Sequence, residues 1–516
     1  MPRTSVKFIV LAATILAGFC LKAVTAGDQV DAILSQLPAK SSAEYKALHD
    51  LAAPTGGQAL AMTGAEMWTV PAARYTALRE AAAKEGVSVR RLDDSASPEL
   101  ATVMTGAKMT PAQQEMMHKT MESKAAVGMS MMKLPDAATM EYALTKRMDA
   151  PAGSAPQTIL IPLNDKLTVT AQRTEISKTQ DGYIWRGVID GSGEPVTLLW
   201  WPSGRLAGTV MYKDHAYVIK NLEGSMHGMV ELSPDKMPPD HGAASKEMMQ
   251  KMGMHSDPLV HDGDASMMLP AAMQPPPMKP VPVEGAPKDA EISLIVAYTK
   301  KAASHYTDIV KDLIDVAIAQ TNQSFRDSGA GNVRVKLVHA YETDYVENGS
   351  HFDHVYRFRN KGDGYMDEIH GLREKYAADV AVLIVDDPMG CGLSIRVAAD
   401  APDAFAAIHH ECASTMYSLA HEIGHLIGAR HDRALDDSSQ PFPYGHGFVH
   451  GNEWRTMMSY MESCGGCQRR PIWSSPDVKV DGVPAGDAET NNAKVIRENA
   501  ARVAAFHTEL NKAASR

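Results

Sequence analysis

The stretch His421-Glu422-Ile423-Gly424-His425-Leu426-Ile427-Gly428-Ala429-Arg430-His431 constrains this chain more than any other, because it demands a helix that stops at a set place. Residues four apart on a helix lie one turn above one another, so His421 and His425 share a face and both imidazoles can reach one ion. Glu422 then stands beside that ion without binding it. A carboxylate there can take a proton from zinc-bound water, whose pKa the ion lowers to about 7. Gly428 adopts positive φ at little cost, which ends the helix and lets His431 approach from another side. Three histidines leave the fourth position of a tetrahedral zinc ion open, as in a catalytic rather than a structural site.

Downstream, Thr456-Met457-Met458-Ser459-Tyr460 supplies a turn with a methionine at its centre. On these two motifs the chain resembles the metzincin zinc metallopeptidases. Asp432, directly after the third histidine, is similar to the reprolysin-like branch, in which that aspartate makes structural hydrogen bonds. Trp454-Arg455-Thr456-Met457-Met458-Ser459-Tyr460, Trp473-Ser474-Ser475-Pro476-Asp477-Val478 and Asn491-Asn492 resemble the bacterial peptidyl-Asp metallopeptidases, from residue 290 to residue 510 and most strongly from Cys391 onward.

The resemblance implies a secreted zinc-dependent endopeptidase that hydrolyses peptide bonds through a zinc-bound water, with cleavage on the amino side of Asp. It implies one catalytic Zn2+ held by His421, His425 and His431, Glu422 as general base, Asp432 as a structural support and Met458 as the residue beneath the metal. Met457 is the alternative for that last role. Tyr460 stands where astacins and serralysins place a tyrosine that touches zinc or the oxyanion, and a phenol there can stabilise a tetrahedral intermediate. The implied fold is an α/β (α+β) catalytic domain with a mixed, mostly parallel twisted sheet and an active-site helix.

With 516 residues the chain exceeds one ordinary domain of about 100–200 residues. Residues 1–26 read as a signal peptide: Arg3 and Lys7 are basic, Phe8 to Leu21 is apolar but too short to span a membrane, and Val24-Thr25-Ala26 suits cleavage. No later run reaches about 18 apolar residues, so no membrane span is expected. The expected destination is the periplasm or the medium. Export makes disulfides possible, and losing Cys20 leaves Cys391, Cys412, Cys464 and Cys467. These allow three pairings, among which the sequence does not choose; Cys391 with Cys412 and Cys464 with Cys467 is favoured. A net charge of -11 argues against nucleic acid as a partner.

Residues 27–232 are expected to be a propeptide region, mainly helical to about residue 150 with a small strand–helix–strand unit at Trp68-Thr69-Val70, Arg74 to Lys84 and Val87-Ser88-Val89. A β meander should occupy about residues 158–232, with strands at Leu167–Ala171, Tyr183–Ile189, Val196–Trp200, Leu206–Met211 and Ala216–Ile219. Residues 233–289, with Pro275-Pro276-Pro277, read as a Met/Pro-rich linker open to proteolysis. The 31 methionines gather between Met104 and Met148 and between Met226 and Met278, beside histidines as in Met226-His227 and Met254-His255. Clustered thioethers bind soft ions such as Cu(I), so a Met-rich periplasmic metal-binding protein is one alternative reading. A catalytically silent peptide-binding metzincin is the other, against which the intact Glu422 speaks.

Residues 290–516 form the expected peptidase domain. Strands at Ile292–Tyr298, Val333–Tyr341 and Val380–Val385 alternate with helices at Asp308–Asp327 and Asp367–Tyr376, and a last helix runs from Asn491 to about Lys512. Ser394–Val397 or Phe405–His409 is the expected antiparallel edge, where an extended peptide substrate would add as a strand. His409 and His410 are neighbours on a strand and point to opposite faces, so with Glu411 they are expected to be solvent-facing or structural rather than ligands of a second ion.

Preference for Asp requires a cation in the pocket wall. Arg469 and Arg470 are the first candidates, since a guanidinium grips a carboxylate bidentately, with Arg455 and Arg396 behind them. The expected partners are protein or peptide substrates and the chain's own propeptide. Residues 27–390 contain no cysteine that could block zinc, leaving Asp240, His241 or His261 to fill the fourth position.

Overall fold

The strand Pro195–Trp201 is buried at almost every position, and its two faces do different work. Val196, Leu198 and Trp200 point into one core, while Leu199 and Trp201 point into another shared with Val316 and Ala319 of the helix Asp315–Asp327. Side chains alternate across a strand, so burial at consecutive positions, Thr197 included, means a strand covered on both faces. This strand joins the two halves of a larger body.

The computed structural model describes residues 29–52, 60–62, 64–92, 97–106, 108–145, 157–240 and 289–514. The expected signal peptide and residues 241–288 of the expected linker, including His241, His261 and Pro275-Pro276-Pro277, lie outside the described residues. The chain divides into Met1–Ala96 and Ser97–Arg516. Among the described residues, no helix is long and apolar enough to cross a membrane.

In the first unit an antiparallel sheet runs in the order Leu60–Met62, Ala65–Pro71, Gln29–Ser35, Ser88–Leu92. The helices Ala43–Ala52 and Ala72–Lys84 cover it through a core of Ala32, Leu34, Leu48, Trp68, Val70, Leu78 and Ala82. The expected strand–helix–strand unit is present as Ala65–Pro71, Ala72–Lys84 and Ser88–Leu92, while Gln29–Ser35, in a stretch expected to be mainly helical, is a strand. Alanine favours helix, yet the alternation Ala32/Leu34 and Trp68/Val70 puts the apolar residues on one face of a strand, and burial outweighs propensity.

The second unit opens with a nine-stranded antiparallel sheet. It contains the meander, with strands Thr158–Pro162, Thr168–Lys178, Tyr183–Ile189, Pro195–Trp201, Arg205–Tyr212, His215–Glu223 and Met226–Leu232. The strands Thr102–Val103 and Ala126–Lys133 extend it beyond Met226–Leu232. The Leu100 amide donates to the Leu160 carbonyl and the Leu160 amide to the Pro98 carbonyl, which brings the two edges together, so the sheet curls into a barrel-like closure. Met132, Met140 and Met229 are buried in its core beside Trp185, Leu198 and Trp200. Methionines there fill irregular space.

The barrel docks on the helix Asp315–Asp327 and the π turn Val310–Ile314 before it. Arg205 and the buried Asp312 pair at 2.6 Å, and Gln320 donates to Thr209 at 2.7 Å. Residues 233–240, expected to open the linker, form a 3-10 turn at Pro234–Lys236 and end in a buried Asp240.

The catalytic half is built on a five-stranded sheet in the order Val333–Thr343, Ala290–Thr299, Val380–Val385, Phe405–His409, Gly392–Ser394. The first four strands pair in parallel and the last pairs antiparallel. Phe405–His409 is thus interior and Gly392–Ser394 is the edge, because the parallel strand finds partners on both sides. One face packs on the helices Asp315–Asp327, Ser418–Ile427 and Asn492–Val503 through Leu294, Val296, Val382, Ile408, Ile423 and Ile496. The other face, with Ile295, Leu383 and Phe405, packs on the helices His351–Arg359 and Glu368–Lys375 through Val355, Phe358 and Ile369. The expected single last helix breaks between Val503 and Phe506.

His227 lies inside the barrel. Its Nε2 accepts from the Leu206 amide at 3.0 Å, and its Nδ1 donates to the Ser225 carbonyl at 3.2 Å. Burial, aided by the nearby Arg205 charge and opposed by the Ser225 bond, holds its pKa down at about 4. An unfolded histidine titrates near 6.5, so between those values the unfolded chain binds a proton that the folded chain refuses. Stability should therefore fall as pH drops below about 6.5, by about 3 kcal/mol on reaching pH 4, and level off below that. Urea titrations across this range should show the slope in wild type and a flatter profile in His227→Gln.

Candidate metal centre

The helix Ser418–Ile427 starts from Tyr417, whose φ of 57° puts it in the left-handed region, and stops at Gly428, whose φ is 131°. A side chain at Gly428 would be strained, and its Cβ would stand 2.7 Å from Phe442. The amides of Gly428 and Ala429 both return to the Gly424 carbonyl, closing the helix so that His431 leads back toward its face.

Three imidazoles meet there. Nε2 of His421 lies 3.1 Å from Nε2 of His425 and 3.1 Å from Nε2 of His431, and all three rings are buried. Nδ1 of His421 donates to the Met457 carbonyl at 3.1 Å, and Nδ1 of His425 donates to the Ala429 carbonyl at 2.9 Å. A neutral imidazole has one N–H, so in both rings Nε2 carries a lone pair. Ligands around a tetrahedral zinc ion, each at about 2.0–2.1 Å, stand about 3.3 Å apart. Lone pairs converging at this spacing fit a cation, and backbone acceptors on the far nitrogens are the outer support that metal-binding histidines require. His446, which sequence reasoning missed, holds this region by a 2.9 Å bond from Nδ1 to the His431 carbonyl.

Glu422 is buried beside the trio. Its Oε2 accepts from the Ser394 hydroxyl at 2.6 Å. Burial pushes its pKa up to about 8, against the Ser394 bond and the Arg469 charge and with the help of Asp240. Ser394 belongs to the edge strand, and Gly392 on the same strand gives the carboxylate its room: a Cβ there would lie 2.4 Å from Glu422 Oε1. Neither residue was singled out for this from sequence, because their contact with Glu422 depends on how edge and helix pack.

Tyr460 points its hydroxyl at His431 Nε2, 2.9 Å away. Asp432 accepts from the amides of Tyr460 at 3.1 Å and Ala434 at 3.2 Å, tying the turn to the third histidine. Met458 is fully buried, with its sulfur against the Gly424 side of the helix. Met457 contributes its carbonyl to His421, so both methionines of the turn serve the cluster by different atoms. The disulfides are Cys391–Cys412 and Cys464–Cys467.

The arginine candidates separate. Arg455 and Arg469 are register partners on the parallel strands Trp454–Arg455 and Gln468–Arg469, so they stand side by side. Their Nη2 atoms lie 3.5 Å and 3.0 Å from the two carboxylate oxygens of Asp240. Arg455 also donates to the Ser459 carbonyl at 3.0 Å, and Arg469 to the Met416 carbonyl at 2.6 Å. Burial and the neighbouring Arg469 charge bring the Arg455 pKa down to about 10, opposed by the Asp240 carboxylate. Arg470 turns away to Asp481 at 3.4 Å, and Arg396 faces Asp403 at 3.8 Å. The expectation that Asp240 fills the fourth position at the histidines is corrected in the same way: its carboxylate is engaged by these two arginines.

A second close group comprises His305, Asp386 and His410. The two rings stack with centroids 4.5 Å apart, and Asp386 lies 3.2 Å from His305 and 3.3 Å from Lys301 Nζ. The Lys301 ammonium already balances this carboxylate, and it would repel a metal cation. His409 and His410 are buried rather than solvent-facing, and they face different partners, Glu411 and Asp386.

Residues 288–470 match the family described as metallo-peptidase family M12. The chain is 33% identical over 375 residues to the peptidyl-Asp metalloendopeptidase of Xanthomonas campestris pv. campestris, covering 70% of this chain and 84% of that protein. It is 34% identical over 382 residues to the protein of that name from Stenotrophomonas maltophilia strain R551-3, covering 70% and 85%. A Pseudomonas fragi protein of the same name is 32% identical over 189 residues, which are 36% of this chain and 99% of that one.

The room at Gly392 can be tested directly. Gly392→Ala should push the Glu422 carboxylate aside by about 1 Å and lower kcat about 100-fold. Metal content, measured by atomic absorption, should stay at the wild-type level.

Proposed function

Because this chain belongs to the peptidyl-Asp metalloendopeptidase family of the M12 metallopeptidases, and is itself a metalloendopeptidase, we propose that it is an exported zinc enzyme that cuts proteins on the amino side of aspartate. The observation that carries the reading is the convergence of three imidazole lone pairs beside a buried glutamate. His421, His425 and His431 would hold the ion. Bound zinc would polarise the scissile carbonyl and acidify an attacking water.

Glu422, oriented by Ser394, takes the proton from the attacking water and passes it to the leaving amine. Tyr460, whose hydroxyl already faces the cluster, donates to the oxygen that gains charge in the transition state. Met458 packs beneath the rings, and Asp432 ties the third histidine to the turn that carries Tyr460. The edge Gly392–Ser394 takes an extended peptide as an added strand, whose backbone bonds are indifferent to sequence. Selectivity then falls to Arg455 and Arg469, which present paired cations to an aspartate side chain; Arg470, occupied by Asp481, has no part in it.

Residues 27–232 act in this reading as a propeptide region, 233–289 as a linker and 290–516 as the peptidase, with residues 1–26 directing export. Disulfides suit an oxidising compartment. Methionines buried in the barrel core support packing rather than metal handling.

Glu422→Gln should retain zinc and lose turnover by at least about 100-fold; loss of zinc in this variant would assign Glu422 to binding instead. Chelation should abolish activity and added zinc should restore it. In a peptide library the processed enzyme should cut before Asp, and Arg469→Gln should lower kcat/KM for Asp peptides about 10- to 100-fold relative to uncharged ones. An unchanged ratio would remove Arg469 from the specificity pocket.

A further inference from the structure

Asp240 is an unusual residue to find between Arg455 and Arg469, because it comes from the other half of the chain. The last barrel strand ends at Leu232, a 3-10 turn spans Pro234–Lys236, and Met237-Pro238-Pro239 lead to Asp240. Its carboxylate is buried, with one oxygen 3.0 Å from Arg469 and the other 3.5 Å from Arg455 and 3.4 Å from the Met461 amide. The residue before it meets the substrate edge: the Pro239 carbonyl accepts from the Cys391 amide at 2.9 Å, and Cys391 immediately precedes the edge strand Gly392–Ser394. The barrel is fastened nearby, with Gln468 donating to Glu194 at 3.3 Å from the residue next to Arg469.

We infer that Pro238-Pro239-Asp240 is a built-in pseudosubstrate, in which the Asp240 side chain fills the pocket made by Arg455 and Arg469 for the aspartate of a substrate and keeps the precursor inactive. The inference rests on the aspartate-specific reading given above.

The arrangement also accounts for survival of this segment. Cleavage on the amino side of Asp240 would break the Pro239–Asp240 bond, and for that the Pro239 carbonyl must face the three imidazoles. That carbonyl is bonded instead to the Cys391 amide. Pro238 and Pro239 have no N–H to give, so the segment cannot complete the ladder that would draw a substrate along the edge. It is held by its side chain and one backbone bond, out of cutting register. Affinity need not be high, because the docked barrel presents Asp240 at an effective concentration in the millimolar range or above, about what a short tether provides. Separating barrel from peptidase removes that advantage, so an incoming aspartate takes the pocket.

The test uses the full chain loaded with zinc, purified as wild type, Asp240→Ala and Asp240→Asn, and the processed enzyme made from each. Initial hydrolysis of a fluorogenic peptide containing an X-Asp bond is read before any chain cleavage is visible on a gel. We expect both precursor variants to be at least tenfold faster than the wild-type precursor, and the three processed enzymes to have equal kcat/KM. Asp240→Asn keeps the shape of the side chain, so it decides the matter where Asp240→Ala unfolds. A precursor variant no faster than wild type, or a wild-type precursor as active as its processed form, would overturn the inference. X-Asp and X-Ala peptides given to the processed enzyme test the specificity reading separately. Preference for Asp without release in the variants sinks the pseudosubstrate alone, and release without preference for Asp sinks the mimicry together with the specificity reading.

Discussion

Two backbone carbonyls, those of Met457 and Ala429, determine what the histidine cluster can be. Each takes the only proton of a neutral imidazole, so Nε2 of His421 and of His425 must face inward as lone pairs. Lone pairs at 3.1 Å repel one another unless a cation lies between them, and the surrounding chain is shaped to keep them there. Gly428 reverses the backbone so that Ala429 can reach His425. The turn after Trp454–Arg455 brings Met457 to His421 and Tyr460 to His431. The five-stranded sheet supplies the platform, because its apolar strands fix the helix Ser418–Ile427 through Ile423, Leu426 and Ile427.

Around this centre, packing and charge divide the work. The barrel meets the peptidase through Leu199, Trp201 and Ala207 against Val316 and Ala319, which stabilises without direction. Arg205 with Asp312 and Gln320 with Thr209 set the register of that contact, since a buried carboxylate left without its cation is costly. The orientation so imposed carries the tail beyond Leu232 to Arg455 and Arg469. Two guanidiniums side by side in a buried wall call for an anion, and the barrel's own tail supplies one.

Much of the catalytic half was legible in sequence. The buried strand Val380–Val385 has the bounds its apolar run suggests, and the reading of Ile292–Tyr298 falls within Ala290–Thr299. The helix His351–Arg359 was not seen, because its pattern of His, Phe, Asp, Val and Arg has no run of apolar residues to mark it. Ala126–Lys133 falls in a Met-rich stretch whose composition suggests helix. Methionine is a good helix former, and only pairing with Met226–Leu232 makes those residues a strand. Among the arginines, neighbours in sequence misled: Arg469 closes the strand Gln468–Arg469 and meets Asp240, whereas Arg470 lies just past its end and meets Asp481.

The sequence by itself determined the features that depend on helix pitch and local backbone freedom. His421, Glu422 and His425 lie within one helical turn and the reversal at Gly428 follows at once, so covalent geometry brings those groups together in any fold that keeps the helix. The partner of Glu422, the acceptor for His421, the edge of the sheet and the occupant of the arginine pair were decided only by tertiary structure. Ser394, Met457, Gly392 and Asp240 lie far from their partners along the chain. Strand register and packing of the two halves bring them into contact, and neither follows from the spacing of residues in one segment.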